Sequence, residues 1–248
     1  MDTFKKKVKD SFDQGADCYD KHSSIQKEIS KNLLDLFFNE LKQNKEEFSL
    51  LELGCGTGFC SKKISENLSL TRIHLLDISN NMIKKSKIRF KNQNVFFLKN
   101  DFDFFDNFEN YNLIVSNMSL HWSKDFLKLF KKILSSIKNN SILLLSFPNS
   151  RSFNNLKTKH HKLINDFPNE KKMEELLNNK KFYFTMKRMI HELEYKNIMF
   201  FFQSLKKIGA NVSNNVFNIR DLYSMRRDRG KVRVNFDISY FFIRKIRD

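Results

Sequence analysis

From about Ser49 onward, short apolar runs rich in β-branched and aromatic residues alternate with stretches whose apolar positions recur at helical spacing. Ser49–Leu53, Arg72–Asp77, Val95–Leu98, Leu113–Ser116 and Ser141–Phe147 read as strands. Gly58–Leu68, Asn80–Phe90 and Lys124–Lys138 read as the helices between them. That alternation predicts a parallel sheet with crossover helices. Ile142-Leu143-Leu144-Leu145 offers no polar position to water, as a strand covered on both faces requires.

Ahead of this core, Leu33, Leu34, Phe37, Phe38 and Leu41 recur at helical spacing, predicting a helix pair over Asp17–Leu41 that caps the N-terminal side. After Phe147 the period changes. Ser150–Leu163 and Lys171–Asn178 read as helical, Phe182–Leu193 as a strand, Tyr195–Lys207 as a buried helix and Asn235–Ile246 as a final strand. The expected fold is α/β, a doubly wound, mostly parallel seven-stranded sheet with an N-terminal helical cap and a helical insertion after strand 5. The expected organisation is one domain over 1–248, divided into a cap (1–45), a core (46–149), the insertion (150–181) and C-terminal strands and helix that complete the sheet (182–248).

Composition narrows the class. Charged residues make up 29%, yet 40% of positions are apolar and 14% aromatic, enough for a folded core rather than low-hydrophobicity disorder. Two Pro and six Gly give little punctuation for an all-β chain of many tight turns. The formal charge of +17 would concentrate any polyanion, although Lys, Asn, Ile and Phe are abundant throughout and a compositional bias accounts for it equally well. Cys18, Cys55 and Cys60 are odd in number and lack CxxC spacing, so reduced thiols are expected rather than a disulfide framework or a zinc site. With no apolar core near the N-terminus and no run of the ~18 apolar residues a membrane span needs, a cytoplasmic protein is expected.

The chemistry concentrates in Leu50-Leu51-Glu52-Leu53-Gly54-Cys55-Gly56-Thr57-Gly58, an apolar strand entering a glycine loop and then a helix. Alternate glycines let backbone turn sharply and approach a ligand closely. The spacing is G-x-G-x-G, and Phe59 or Ser61 stands where a dinucleotide fingerprint needs its third glycine; no Gly-Lys-Ser/Thr makes a P-loop. Asp77, at the end of the next strand, is placed to accept both hydroxyls of a ribose. Asn100-Asp101-Phe102 ends the third strand and suits the amine and face of adenine. Ser116-Asn117-Met118-Ser119-Leu120-His121-Trp122 ends the fourth. All four clusters fall at the carboxyl ends of strands, where open α/β sheets bind ligands.

This ordered set, from Ser49 to Phe147, resembles the class I S-adenosylmethionine-dependent methyltransferases, which have a Rossmann-like sheet. The resemblance implies that Glu52 orients the methionine amino group and that Gly54, Gly56 and Gly58 lie against the cofactor. It further implies that Asp77 holds the ribose, that Met82 and the Asp101-Phe102 pair meet adenine, and that Ile78 and Asn117 line the same site. Asn112 departs from the family, which usually has Asp there.

Phe12-Asp13-Gln14-Gly15-Ala16-Asp17-Cys18-Tyr19-Asp20-Lys21-His22-Ser23-Ser24-Ile25-Gln26, the Ser116–Trp122 string and Ser204-Leu205-Lys206-Lys207-Ile208-Gly209-Ala210 are similar to the malonyl-carrier-protein O-methyltransferases of biotin synthesis. That likeness implies methylation of the free carboxylate of a malonyl thioester, carried by acyl carrier protein or coenzyme A. Such a carboxylate is ionised at pH 7, so no general base is needed and positioning and dryness do the catalysis. Tyr19 is a candidate donor to it, Arg151 a candidate bidentate partner, and His121 and Trp122 candidate walls, although core tyrosine and tryptophan or a solvated arginine fit the same patterns. His160-His161 are adjacent on a helix and point about 100° apart, so no metal is assigned. Arg226–Arg233 and Lys157–Lys162 are candidate docking surfaces for an acidic carrier protein. Related small-acid carboxyl or quinone methyltransferases share the core. An RNA methyltransferase is disfavoured by the lack of an Asn-Pro-Pro-Tyr or Pro-Cys motif, and a binding protein without turnover stays open.

Overall fold

The computed structural model describes residues 2–41, 47–91, 93–213, 223, 226–227 and 229–246. A seven-stranded sheet is built from β1 (Phe48–Leu53), β2 (Leu70–Asp77), β3 (Phe96–Lys99), β4 (Leu113–Asn117), β5 (Ile142–Pro148), β6 (Phe182–Tyr195) and β7 (Val232–Lys245). Their order is β3-β2-β1-β4-β5-β7-β6. β1 to β5 pair in parallel, and β7 runs antiparallel between β5 and β6. The helices are α1 (Thr3–His22), α2 (Ser24–Glu40), α3 (Phe59–Ser65), α4 (Asn80–Arg89), α5 (Phe126–Ser136), α6 (Asn154–His160), α7 (Glu170–Leu177) and α8 (Ile198–Lys207). The expected fold class is the one observed, and among the described residues no helix is long and apolar enough to cross a membrane.

Successive strand residues point to opposite faces, so the continuous apolar runs fill two cores. Leu50, Leu75 and Leu144 pack with Leu33 and Phe37 of α2, Ile64 of α3 and Ile83 of α4. Leu51, Leu76 and Leu143 pack with Leu129 and Ile133 of α5 and Met173 and Leu177 of α7. The sheet reverses its winding between β1 and β4, which opens a crevice at their carboxyl ends. At the opposite edge, Asn112 accepts a hydrogen bond from Ser49 N at 2.7 Å and donates to the Glu47 carbonyl at 3.0 Å. An aspartate could accept there but not donate, so the departure from the family pattern ties down the start of β1 and lies away from the crevice.

Several ends shift by a few residues, β7 starting at Val232 rather than Asn235 and α8 at Ile198 rather than Tyr195, but the largest difference lies in the cap. The first helix of the cap pair begins at Thr3 rather than Asp17, and Ser23 separates it from α2. Its sparse apolar face, Val8, Phe12 and Ala16, gives a weak periodic signal, and Gly15 breaks helix propensity further. Gly15 is there for contact: a Cβ would lie 2.5 Å from Gly209 N, where α1 crosses the turn after α8.

A buried ionic network fastens the C-terminal strands. Asp237 of β7, 3% exposed, accepts from Arg188 Nε of β6 and from Asn149 Nδ2, each at 2.7 Å. Burial alone would raise the Asp237 carboxyl, but these bonds outweigh it and hold it below the usual carboxylate range. Asp237→Ala should therefore cost about 1–2 kcal/mol in urea unfolding, since it leaves the buried Asn149 amide one bond short while the half-exposed Arg188 falls back on water. Because the folded pKa is depressed, this contribution is present above the ordinary carboxylate pKa and is lost as pH falls through the folded value. The wild type should lose more stability on acidification than the variant, and parallel pH curves would refute the assignment.

Candidate cofactor and acceptor site

β1 delivers its last residue, Leu53, to the crevice, and Gly54, Gly56 and Gly58 follow with φ of 70°, 54° and 78°. These angles strain any residue with a Cβ. At Gly54 a Cβ would also fall 1.6 Å from Ser119 Oγ, whereas at Gly56 it would meet nothing within 4 Å. The open side of Gly56 is where a ligand can lie against backbone. Its N–H donates to Asp77 Oδ2 at 2.8 Å, and Ser79 N donates to Asp77 Oδ1 at the same distance. The glycine loop and the acid at the end of β2 are thereby clamped together, with lone pairs left on both carboxylate oxygens. Burial pushes the Asp77 carboxyl up to about 6 despite the two amides.

Gly54, Gly56, Asp77, Ile78, Met82, Asp101, Phe102 and Asn117 all line one cavity of about 540 Å³. Glu52 lines an adjoining one of about 370 Å³, which shares Tyr19, Gly54, Gly56 and Asn117 with the first. Glu52 is 2% exposed, and its Oε2 accepts from Ser61 N at 3.2 Å and from the Ser61 hydroxyl. Burial pushes this carboxyl up to about 8, outweighing the Ser61 bonds. Gly58 lines none of the described cavities; it opens α3, and a Cβ there would meet Ser86 Oγ at 2.5 Å.

Lys5 is a wall residue that sequence reasoning missed. It is 3% exposed, with Nζ 2.8 Å from Asp101 Oδ1, 2.9 Å from Asp103 Oδ2 and 4.2 Å over the Phe102 ring. Asp101 Oδ2 stays buried without a partner, facing a demand only a donor can meet. Two more acids hold α1 over the crevice: Asp13 accepts from Ser79 Oγ at 2.6 Å and Asn81 N at 3.0 Å, and Asp20 accepts from Thr57 Oγ1 at 2.8 Å. No local pattern signals these pairings, because their partners lie 37 to 98 residues away.

A third cavity, about 800 Å³, adjoins both and shares Tyr19 with each. Its walls are chiefly aromatic and aliphatic, including Phe153, Phe167 and Phe201, and no Lys, Arg, Asp or Glu among the described residues lines it. His121 and Trp122 are in the wall; burial holds the His121 ring neutral, its pKa pushed down to about 3. Burial, then the charge of Asp77, also drives the Tyr19 phenol upward, so it stays a donor. Arg151 does not join them. Its guanidinium bonds to Glu170, 2% exposed, and approaches Asp237 at 3.6 Å. A buried carboxylate without a cation is costlier than an empty position in an apolar wall, so the sequence-based role for Arg151 gives way to a structural one.

A mostly parallel sheet of this order, with a glycine loop after β1 and a ribose-type acid after β2, defines a class I S-adenosylmethionine-dependent methyltransferase. The chain belongs to the methyltransferase domain family, whose pattern matches residues 21–204. It is 31% identical to malonyl-[acyl-carrier protein] O-methyltransferase 2 of Ilyobacter polytropus, covering 90% of this chain and 88% of the relative. It is 29% identical to malonyl-[acyl-carrier protein] O-methyltransferase of Acetivibrio thermocellus, covering 85% and 80%. Its fold matches that of the N-methyltransferase NodS from Bradyrhizobium japonicum, solved with S-adenosyl-L-homocysteine, at a TM-score of 0.52 and 13% identity over 88% of this chain and 86% of that one.

A cation beside Glu52 favours its ionised form, and the methionine end of the cofactor carries an ammonium. Cofactor binding should therefore expel the Glu52 proton and tighten as pH rises from about 6 to about 7.5. Titration calorimetry in buffers of different ionisation enthalpy should register that release for the wild type and not for Glu52→Gln. An unchanged pH slope in the variant would assign the titration to another group.

Proposed function

We propose that the protein transfers a methyl group to the free carboxylate of a malonyl thioester, presented by an acidic acyl carrier protein. The observation that carries this reading is the uncharged cavity that meets the cofactor cavity at Phe12, Tyr19, Met118 and Trp122. When bound, S-adenosylmethionine supplies an electrophilic methyl on a sulfonium. Glu52 would hold the methionine ammonium and Asp77 the ribose hydroxyls. Asp101 would take the adenine amine on its free Oδ2, with Ile78, Met82 and Phe102 against the rings. The cavity residues Phe12, Trp122, Phe153 and Phe201 exclude water, and Tyr19 donates to the incoming carboxylate. Neutral His121 neither competes for the carboxylate's charge nor serves as a needed base. Opposite charges cancel as the methyl moves, so a dry wall favours transfer.

The names of the relatives support the substrate class, and the uncharged walls argue against RNA, whose phosphates ask for cations. Methyl transfer to malonyl-carrier protein should exceed that to acetyl-carrier protein or total RNA, with label released as methanol by mild alkali. Label on RNA alone would overturn the reading.

The two basic segments proposed for carrier docking meet at one end, where the Asn155 amide of α6, just ahead of Lys157, donates to the Arg233 carbonyl. Lys157 Nζ lies over the ring of Phe167, a cavity wall, so the α6 segment adjoins the acceptor cavity. Asp228 and the side chains of Lys159 and His161 fall outside the described residues. Charge reversal at Arg226, Arg227, Arg229 and Lys157 should raise the KM for malonyl-carrier protein about tenfold, lower its on-rate and spare malonyl-coenzyme A. Equal effects on both substrates would remove the docking role.

A further inference from the structure

We propose that the side-chain amide of Gln26 binds the acceptor carboxylate alongside Tyr19; this rests on the carboxylate-methylating reading above. Methyl transfer has to occur where the acceptor cavity meets the cofactor cavities. Only a few wall residues stand at that junction. Phe12 and Met118 are apolar, leaving the Tyr19 hydroxyl, the Trp122 indole N–H and the Gln26 amide as donors. Asn165, which donates to Val212 O, and Asn211, which accepts from Ser11 Oγ, also line the acceptor cavity but stand away from the junction and line neither cofactor cavity.

Gln26 lines the acceptor cavity and also the cavity that holds Glu52. It is 8% exposed, and its Oε1 is buried with no partner; no hydrogen bond to either end of the amide forms among the described residues. Its backbone is fixed instead, by Asn117 Nδ2 donating to the Gln26 carbonyl at 3.3 Å and by Ile25 and Ile29 in the core beside it. A buried amide with idle polar atoms on an anchored backbone is the signature of a group waiting for a ligand. The amide turns over without steric change, so its NH2 end can face the acceptor. With no cation in the wall among the described residues, two neutral donors from the cap helices suit a carboxylate whose charge is about to be cancelled. A lysine or arginine there would stabilise the reactant over the transition state.

The test compares wild type, Gln26→Leu and Gln26→Glu with malonyl-carrier protein and a panel of other short carboxylates, with cofactor affinity measured by calorimetry. Gln26→Leu should lower kcat/KM about tenfold to a hundredfold, as expected for a lost hydrogen bond to a charged group, and leave cofactor affinity within about twofold. Gln26→Glu should retain activity at low pH, where a protonated carboxyl still donates, and lose it as pH rises and like charges meet, a slope the wild type lacks. Variants within twofold of an active wild type, or a loss confined to cofactor affinity, would overturn the role of Gln26 while leaving the proposed function intact. A wild type inactive on malonyl species but active on another carboxylate would overturn the malonyl reading, and loss of that activity in Gln26→Leu would uphold Gln26. A wild type inactive on every carboxylate would overturn both.

Discussion

Three carboxylates, Glu52, Asp77 and Asp101, are buried along the carboxyl edge of one sheet, and the rest of the site is arranged around satisfying them. Taking such groups out of water is expensive unless donors replace it. The donors come from three sources: backbone amides of the glycine loop and Ser79, hydroxyl and amide of Ser61, and the buried ammonium of Lys5. Only the last is a full charge. The carboxyls of Glu52 and Asp77 consequently stay above their ordinary range, short of a counterion.

The same constraint explains the cap. Lys5, Asp13 and Asp20 occupy one long helix and reach, in order, the end of β3, the loop after β2 and the glycine loop. Each contact ends on a segment that also walls the cofactor cavities, so docking α1 and shaping the site are one event. Gly15 and Gly209 allow that helix to lie flush against the turn after α8. The acceptor cavity is enclosed by this arrangement, between α1, α2 and α8.

On the other side of that cavity, charge is handled oppositely. Asp237 pairs with Arg188 and Glu170 with Arg151, which ties β7, β6 and α7 together and, among the described residues, leaves no cation facing the acceptor cavity. One region is left electrostatically unfinished for a ligand, and the other is closed for rigidity.

Much of the fold was legible along the chain. Period-two strands, helical spacing and the glycine loop each depend on neighbours a few residues away, so the first five strands, their crossover helices and the wall residues from Gly54 to Asn117 could be read directly. The weakly apolar α1 could not, because its burial comes from packing with Trp122 and Gly209 rather than from its own pattern. Sequence by itself determined the sheet, its glycine loop and the acids at its carboxyl edge, since local sterics and alternation suffice for these. Tertiary structure alone decided that Lys5 enters the cofactor wall, that Arg151 is spent on Glu170 and that Gln26 stands idle at the junction. Those outcomes turn on which charged or polar group reaches a buried partner first, and the partners lie 19 to 98 residues apart in the chain.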